Sequence, residues 1–262
     1  MKVKLFNILS AAIAFLLSYS IGYLTGIDSV MNAIIFAFII QWILFIPAYL
    51  FQTEKFFDIS GSITYISVVS YCFFNNYDLE NLNIGNVILS IIIIFWALRL
   101  GSFLFIRIKK AGEDIRFREI KKSPSRFFMT WTLQGMWVSL CCACALAGIA
   151  NGILINSYFY IGVLIFTIGF ITEIIADNQK TVFRKDPNNK DRFINSGLWK
   201  YSRHPNYLGE ITLWLGISII SFSSLNGWEI ITLISPIFTY LLLVYKWGQK
   251  CRRKRPMVSF KT

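Results

Sequence analysis

Residues 84–106 read IGNVILSIIIIFWALRLGSFLFI, an apolar run with a single charged residue, Arg99. A run of this length matches the roughly 20 residues that a helix needs to cross bilayer hydrocarbon. Similar runs occupy about 5–25, 29–51, 60–76, 127–150, 156–176, 207–224 and 228–246, of which 60–76 and 207–224 are the shortest. The implied fold is all-α, a multi-pass transmembrane bundle of seven to eight helices, read as one integral membrane domain over residues 1–262. Further runs follow the first and no small-residue cleavage site stands out, so 5–25 reads as a retained helix and not a signal peptide. Pro236, inside the last run, predicts a kink there.

Composition agrees. Hydrophobic residues make up 55% of the 262 positions and charged ones 15%, where a soluble domain carries about 25% charged. Mean hydropathy is +0.56. The aromatic share of 17% suits membrane–water interfaces, where Trp and Tyr are favoured.

The formal net charge of +12 invites a nucleic-acid reading until the cations are placed. Of the 26 Lys and Arg, 25 fall at the N-terminus, in the 52–59 turn, in the 107–126 and 177–206 loops, or in the C-terminal tail. The intervening loops hold Asp28, Asp78, Glu80 and Glu229 and no cation. This partition predicts cytoplasmic termini under the positive-inside rule. The basic balance is thus mainly topological: nucleic acid is not an expected partner, and membrane lipids are. The 107–126 loop also suggests a short interfacial helix broken before Pro124.

Ionisable groups within or beside spans are costly and usually face a partner or a cavity. Arg99, Glu173, Asp177 and Glu210 qualify. Glu173 and Asp177 are four apart and share a helix face; Arg184, seven beyond Asp177, returns close to it. Arg203, Asn206 and Glu210 suggest a second polar stripe. Plainer readings stand beside these: Arg99 snorkelling to the boundary, the two acids in an interfacial network with Arg184, and His204 merely ordering its loop. Acids, Asn and Tyr suit ribose and amide groups, whereas Arg, Lys and His suit phosphates. The chain has one histidine, and Cys141, Cys142 and Cys144 lie in an apolar run where thiols pack as small residues, so no metal site is expected.

The stretch GLWKYSRHPNYLGEITLW (197–214) resembles the C-terminal signature of the steroid 5-alpha-reductase-like membrane family, especially its bacterial branch. EIIADNQKTVFR (173–184), WALRLGSFLFIRIKKAGEDIRF (96–117), SPSRFFMTWTLQG (123–135) and QTEKFFDISGSITY (52–65) extend the resemblance over roughly residues 40–245 in the family's order. The resemblance implies a reductase that transfers a hydride from NADPH to the activated C=C bond of a small lipid or steroid-like enone drawn from the bilayer. It implies a cofactor site at Arg99, Glu173, Asp177, Arg184, Tyr201, Arg203, His204, Asn206 and Glu210, with Arg184 on phosphate. For catalysis it points to Glu54 as the acid and to Trp96 at the position of the family's Tyr. An indole donates a hydrogen bond but supplies no phenolic proton, a departure from a true steroid pattern. The resemblance also implies an integral membrane protein of a bacterial inner membrane more than of the endoplasmic reticulum.

The family's aromatic, acid-containing C-terminal segment is replaced by KWGQKCRRKRPMVSFKT (246–262). Two alternatives therefore stay open. Text like RHPNYLG also occurs in isoprenylcysteine-type methyltransferases that use S-adenosylmethionine, although the tail here has no acid after Glu229. The altered tail also fits a degenerate, non-catalytic lipid-binding protein.

Overall fold

The computed structural model describes residues 2–76, 82–189 and 192–245. Asp78, Glu80, Lys190 and the basic tail 246–262 lie outside the described residues. The helices are α1 (Lys2–Thr25), α2 (Asp28–Leu50), α3 (Phe57–Asn75), α4 (Ile84–Ala111), α5 (Pro124–Asn151), α6 (Ser157–Lys185), α7 (Pro205–Phe222) and α8 (Ile234–Tyr240). No strand occurs among the described residues, as the apolar runs imply.

Seven segments among the described residues are long and apolar enough to cross a membrane, so the chain has the make-up of an integral membrane protein. The segment Pro205–Phe222 is not among them; its first turns carry Asn206 and Glu210. The last span, 227–244, changes character along its length: 3-10 over Gly227–Leu233, α over Ile234–Tyr240, π over Leu241–Tyr245. Pro236 lacks the N–H that would bond the Thr232 carbonyl, and the change from 3-10 to α falls two residues before it.

Two expectations need correction. The 107–126 loop holds no interfacial α-helix: α4 runs on to Ala111, ends at Gly112 with φ +82°, and only Ile115–Phe117 form a 3-10 turn. The 177–206 loop also begins later, because α6 continues to Lys185 and carries Asp177 and Arg184 on helix.

The ends follow local rules. Asn83 and Asn156 accept hydrogen bonds from the first-turn N–H groups of α4 and α6. Pro124 and Pro205 open α5 and α7, where a missing N–H costs nothing. In lipid the hydrophobic effect does not join helices, so close packing of small residues and interhelical hydrogen bonds must do so. The central α5 touches α1, α2, α3, α4, α7 and α8. Its stretch LCCACALAG (140–148) is wholly buried. The thiols of Cys141 and Cys144 lie 3.3 Å from the hydroxyls of Thr239 and Ser218. Gln41 bonds Thr64 at 2.7 Å, Trp42 bonds Thr132 at 3.1 Å, and the Asn86 amide joins Ile149 and Ile153.

The α6–α7 pair decides where the polar residues meet. Each helix carries two glycines seven residues apart, Gly162 and Gly169 on α6, Gly209 and Gly216 on α7. A Cβ on Gly209 would fall 2.6 Å from the Glu173 nitrogen, and one on Gly169 would fall 2.5 Å from the Leu213 nitrogen. The backbones therefore touch, and the turn of α6 bearing Glu173 lies against the turn of α7 bearing Glu210.

Candidate functional site

Where α4, α6 and α7 meet, the polar groups of the spans gather into one cluster. Arg99 Nη1 donates to Glu173 Oε1 at 3.2 Å and to Asp177 Oδ2 at 3.0 Å. Trp96, one turn earlier on α4, donates its indole N–H to the other Glu173 oxygen at 3.0 Å. Asn206, in the first turn of α7, reaches Asp177 Oδ1 with its amide nitrogen at 3.4 Å. Glu210 is buried one turn further on, within electrostatic reach of Glu173, Asp177 and Arg99, and forms no hydrogen bond or ion pair among the described residues.

Arg99 thus does not snorkel to the boundary. Its side chain is 17% exposed and spans both acids, with its guanidinium near the rings of Phe103 and Phe170. The cation between Glu173 and Asp177 is Arg99, from another helix, and not Arg184. Two carboxyl groups share one guanidinium, and the carboxyl of Glu210 lies within electrostatic reach of all three. On the two residues that bond Asp177, one buried donor and one buried acceptor lack a hydrogen bond among the described residues, Nη2 of Arg99 and Oδ1 of Asn206.

Cations line the approach. The fields of Arg107 and Lys180 both reach Asp177. Arg107 is also 3.9 Å from Asp58, and Lys180 lies 5.2 Å from the centre of the Trp199 ring. Trp199 is held in place by its own indole bond to the Ala176 carbonyl at 3.0 Å, and the Leu198 N–H donates to Gln179 at 3.0 Å. These two bonds fasten the 197–200 turn to α6 and so deliver α7 to Asp177. His204 is half-buried and stacks on Tyr207 with ring centres 5.0 Å apart. Burial, then the charges of Lys180 and Arg203, hold its imidazole below the usual histidine value.

Other sequence candidates lie apart. Arg184 sits on the exposed end of α6, donating to the Asn189 carbonyl at 3.1 Å beside the Phe183 ring. Tyr201 and Arg203 are exposed before α7 begins, so Arg203 does not continue the Asn206–Glu210 stripe. Glu54 is buried, but its oxygens hold the 112–122 loop: one accepts the Asp114 N–H at 2.9 Å and the other pairs with Lys121. Among the described residues it forms no hydrogen bond or ion pair with Trp96 or the acid cluster. On α6, a groove of about 570 Å³ between Ile174, Ile175, Val182 and Ser196 opens on the face away from Glu173 and Asp177.

Three groups of contributing residues were missed in the sequence. The glycine pairs were visible as matched seven-residue spacings. Trp199 and Gln179 had no such signal. Tyr65 and Trp214 pack on Trp96, with ring centres 5.1 and 5.2 Å from it, and nothing local marks them.

The fold and cluster define a helical membrane protein with a charged site at one end of its bundle. Residues 44–260 match the family described as "Protein of unknown function (DUF1295)", and the chain belongs to that family, which is related to the steroid 5-alpha-reductase-like membrane proteins. A 94-residue segment is 35% identical to the protein of Ustilaginoidea virens named "Probable O-methyltransferase ustE", covering 35% of this chain and 33% of that protein. The chain therefore spans about a third of the length of this curated relative. No solved structure matches.

Proposed function

We propose that the protein is a membrane oxidoreductase that uses NADPH to reduce the activated C=C bond of a lipid or steroid-like enone. The observation that carries this reading is the unpaired donor of Arg99 and unpaired acceptor of Asn206 flanking Asp177. A buried polar group left unbonded costs about 1–3 kcal/mol, and a carboxamide, which both accepts and donates, satisfies the two together. The residues present therefore fit a nicotinamide. Arg99 and Asn206 would hold its carboxamide, and Arg107, Lys180, Arg203, His204 and Arg184 would meet the phosphates. When bound, the reduced nicotinamide supplies a hydride. Asp177, which Arg99 and Asn206 both bond, would face positive charge that develops at the ligand. Packed apolar helices around the cluster exclude water. On this reading the basic loops and both termini are cytoplasmic, where the cofactor is dissolved.

A second reading has its own support. The fungal relative is named a methyltransferase, and the carboxyl groups of the cluster would suit S-adenosylmethionine, whose sulfonium and ammonium are cationic. Thermal shift of the purified full chain against NADPH, NADH and S-adenosylmethionine separates the two. NADPH should raise the melting temperature more than the others, and Asn206→Ala should diminish that rise. A shift with S-adenosylmethionine alone would move the assignment to methyl transfer. No shift with any of them, the protein being folded, would leave a non-catalytic lipid-binding role.

A further inference from the structure

The helices that surround α5 pack each along the next: α1 on α2, α2 on α3, α3 on α4, α6 on α7 and α7 on α8, while the 227–233 turns of the last span return to α1. One seam is different. Among the described residues the backbones of α4 and α6 do not pack along each other, and side chains close the space between them. Phe95 of α4 meets Phe170 of α6 with ring centres 5.6 Å apart at 57°, and Phe170 stacks on Phe166 at 5.8 Å. Against these rings lie the bonds from Trp96 and Arg99 to Glu173 and Asp177. Arg99 precedes Arg107 by eight residues, roughly 12 Å along the helix, so it sits well inside the apolar run. Phe103 and Phe170 cover its guanidinium, and Phe95 lies one turn before it on α4.

Charged groups in a span normally face the interior of a packed bundle. At this seam a layer of phenyl rings stands between them and the outer surface, where Phe95 is 60% exposed. Rings turn between rotamers without moving a backbone, whereas the α6–α7 seam, with its backbones in contact, cannot open that way. We propose that the α4–α6 seam is the lateral doorway through which the hydrocarbon body of the bilayer-derived substrate reaches the cluster, with Phe95 and Phe170 as its two leaves. The proposal rests on the reading that the substrate is a bilayer lipid, and it adds the route and the residues that gate it. Continuity identifies the occupant: the rims of the seam, Leu98 on α4 and Ile168 and Ile171 on α6, are exposed and belong to the apolar surface that the spans present to lipid. The cytoplasmic approach is of the opposite character, because Arg107 and Lys180 line it, and it suits a water-soluble anion. An apolar molecule taking that path would have to leave the bilayer; through the seam it does not. Two ligands of opposite polarity thus have separate entrances that converge on Arg99.

The test uses the full chain in phosphatidylcholine nanodiscs, with tritium-labelled 4-cholesten-3-one as the probe. Phe95→Cys with Phe170→Cys, in a Cys251→Ser background, places two thiols across the seam for a short reducible linker; Cys72, Cys141, Cys142 and Cys144 are buried. Phe36→Cys with Tyr71→Cys is the control on a packed seam, the native rings lying 4.9 Å apart between α2 and α3. Bridging α4 to α6 should stop both association and dissociation of the probe, and reducing the linker should restore them. Bridging α2 to α3 should change neither. Phe95→Ala, which removes one leaf and leaves the bonds of Arg99 in place, should speed both rates about tenfold, the weight of one aromatic pair, with little change in affinity. Exchange unmoved by the α4–α6 bridge, exchange slowed equally by the α2–α3 bridge, or unchanged rates in Phe95→Ala would each overturn the doorway and leave the enone reading standing. Failure of the wild type to bind the probe would overturn the enone reading and the doorway with it.

Discussion

Substituting Gly209 with alanine tests whether the site depends on backbone contact between α6 and α7. In an ordinary helix the change would help, by up to about 1 kcal/mol. Here the new Cβ would lie 2.6 Å from the Glu173 nitrogen and 2.7 Å from the Gly169 carbonyl oxygen, against an ordinary contact of at least 3.4 Å. The shortfall is 3.4 less 2.6, or 0.8 Å, and the obstacle is backbone, which cannot rotate aside. The helices must part, at an overpacking cost of about 1–3 kcal/mol. The Asn206–Asp177 bond, already 3.4 Å long, would be lost, and a misplacement near 1 Å can cost about 100-fold in rate where geometry is critical. Gly209→Ala should therefore lower the melting temperature and nearly abolish binding of whichever cofactor the wild type takes. Gly162→Ala provides the control. Its Cβ would meet the Gly216 oxygen at 2.7 Å, far along the pair from the acids, so it should destabilise similarly and spare more binding. A Gly209→Ala protein as stable as wild type and binding equally well would refute the reasoning.

Three further outcomes are expected. Arg99→Met leaves Glu173 and Asp177 buried without their cation, a loss of about 3–5 kcal/mol; adding Glu173→Gln should restore part of the melting temperature. His204 has a lowered folded-state value, so the stability it contributes is fully present above its unfolded value of about 6.5 and is lost as pH falls through the folded one; melting from pH 8 to 5 should show this decline, and His204→Gln should flatten it. Glu54→Ala frees the Asp114 N–H and Lys121, so trypsin should cut the 112–122 loop faster than in wild type; unchanged cleavage with lost turnover would instead support Glu54 as a catalytic acid.

Much of the fold was legible because a bilayer makes length and apolarity decisive. The eight runs anticipated α1 to α7 and the broken last span within a few residues at most ends. The exceptions were α4 and α6, which project past the apolar run. Polar residues such as Lys109, Lys110 and Asn178 continue a helix as readily as they form a loop, so hydropathy could not mark where those helices stop. The site was partly legible too. Arg99, Glu173, Asp177 and Glu210 stood out because lipid penalises them, and Asn206 because it lay one turn before Glu210. Their pairing was not. Helical periodicity offered Arg184 to the acids, being on the same helix, whereas the bundle supplied Arg99 from another. Glu54 likewise looked available until the 112–122 loop was found on its carboxyl group.

Sequence alone determined the class of protein, the helices, and the few ionisable groups that had to find partners, because each follows from the cost of charge and unpaired backbone in hydrocarbon. Tertiary structure decided which partners they found. Four glycines let α6 and α7 touch, and that contact, which no single stretch encodes, joins Asp177 to Asn206 and places Glu210 beside Arg99. It also packed Tyr65 and Trp214 on the ring of Trp96, whose indole holds Glu173, because ring shape and burial are settled between helices and not within one.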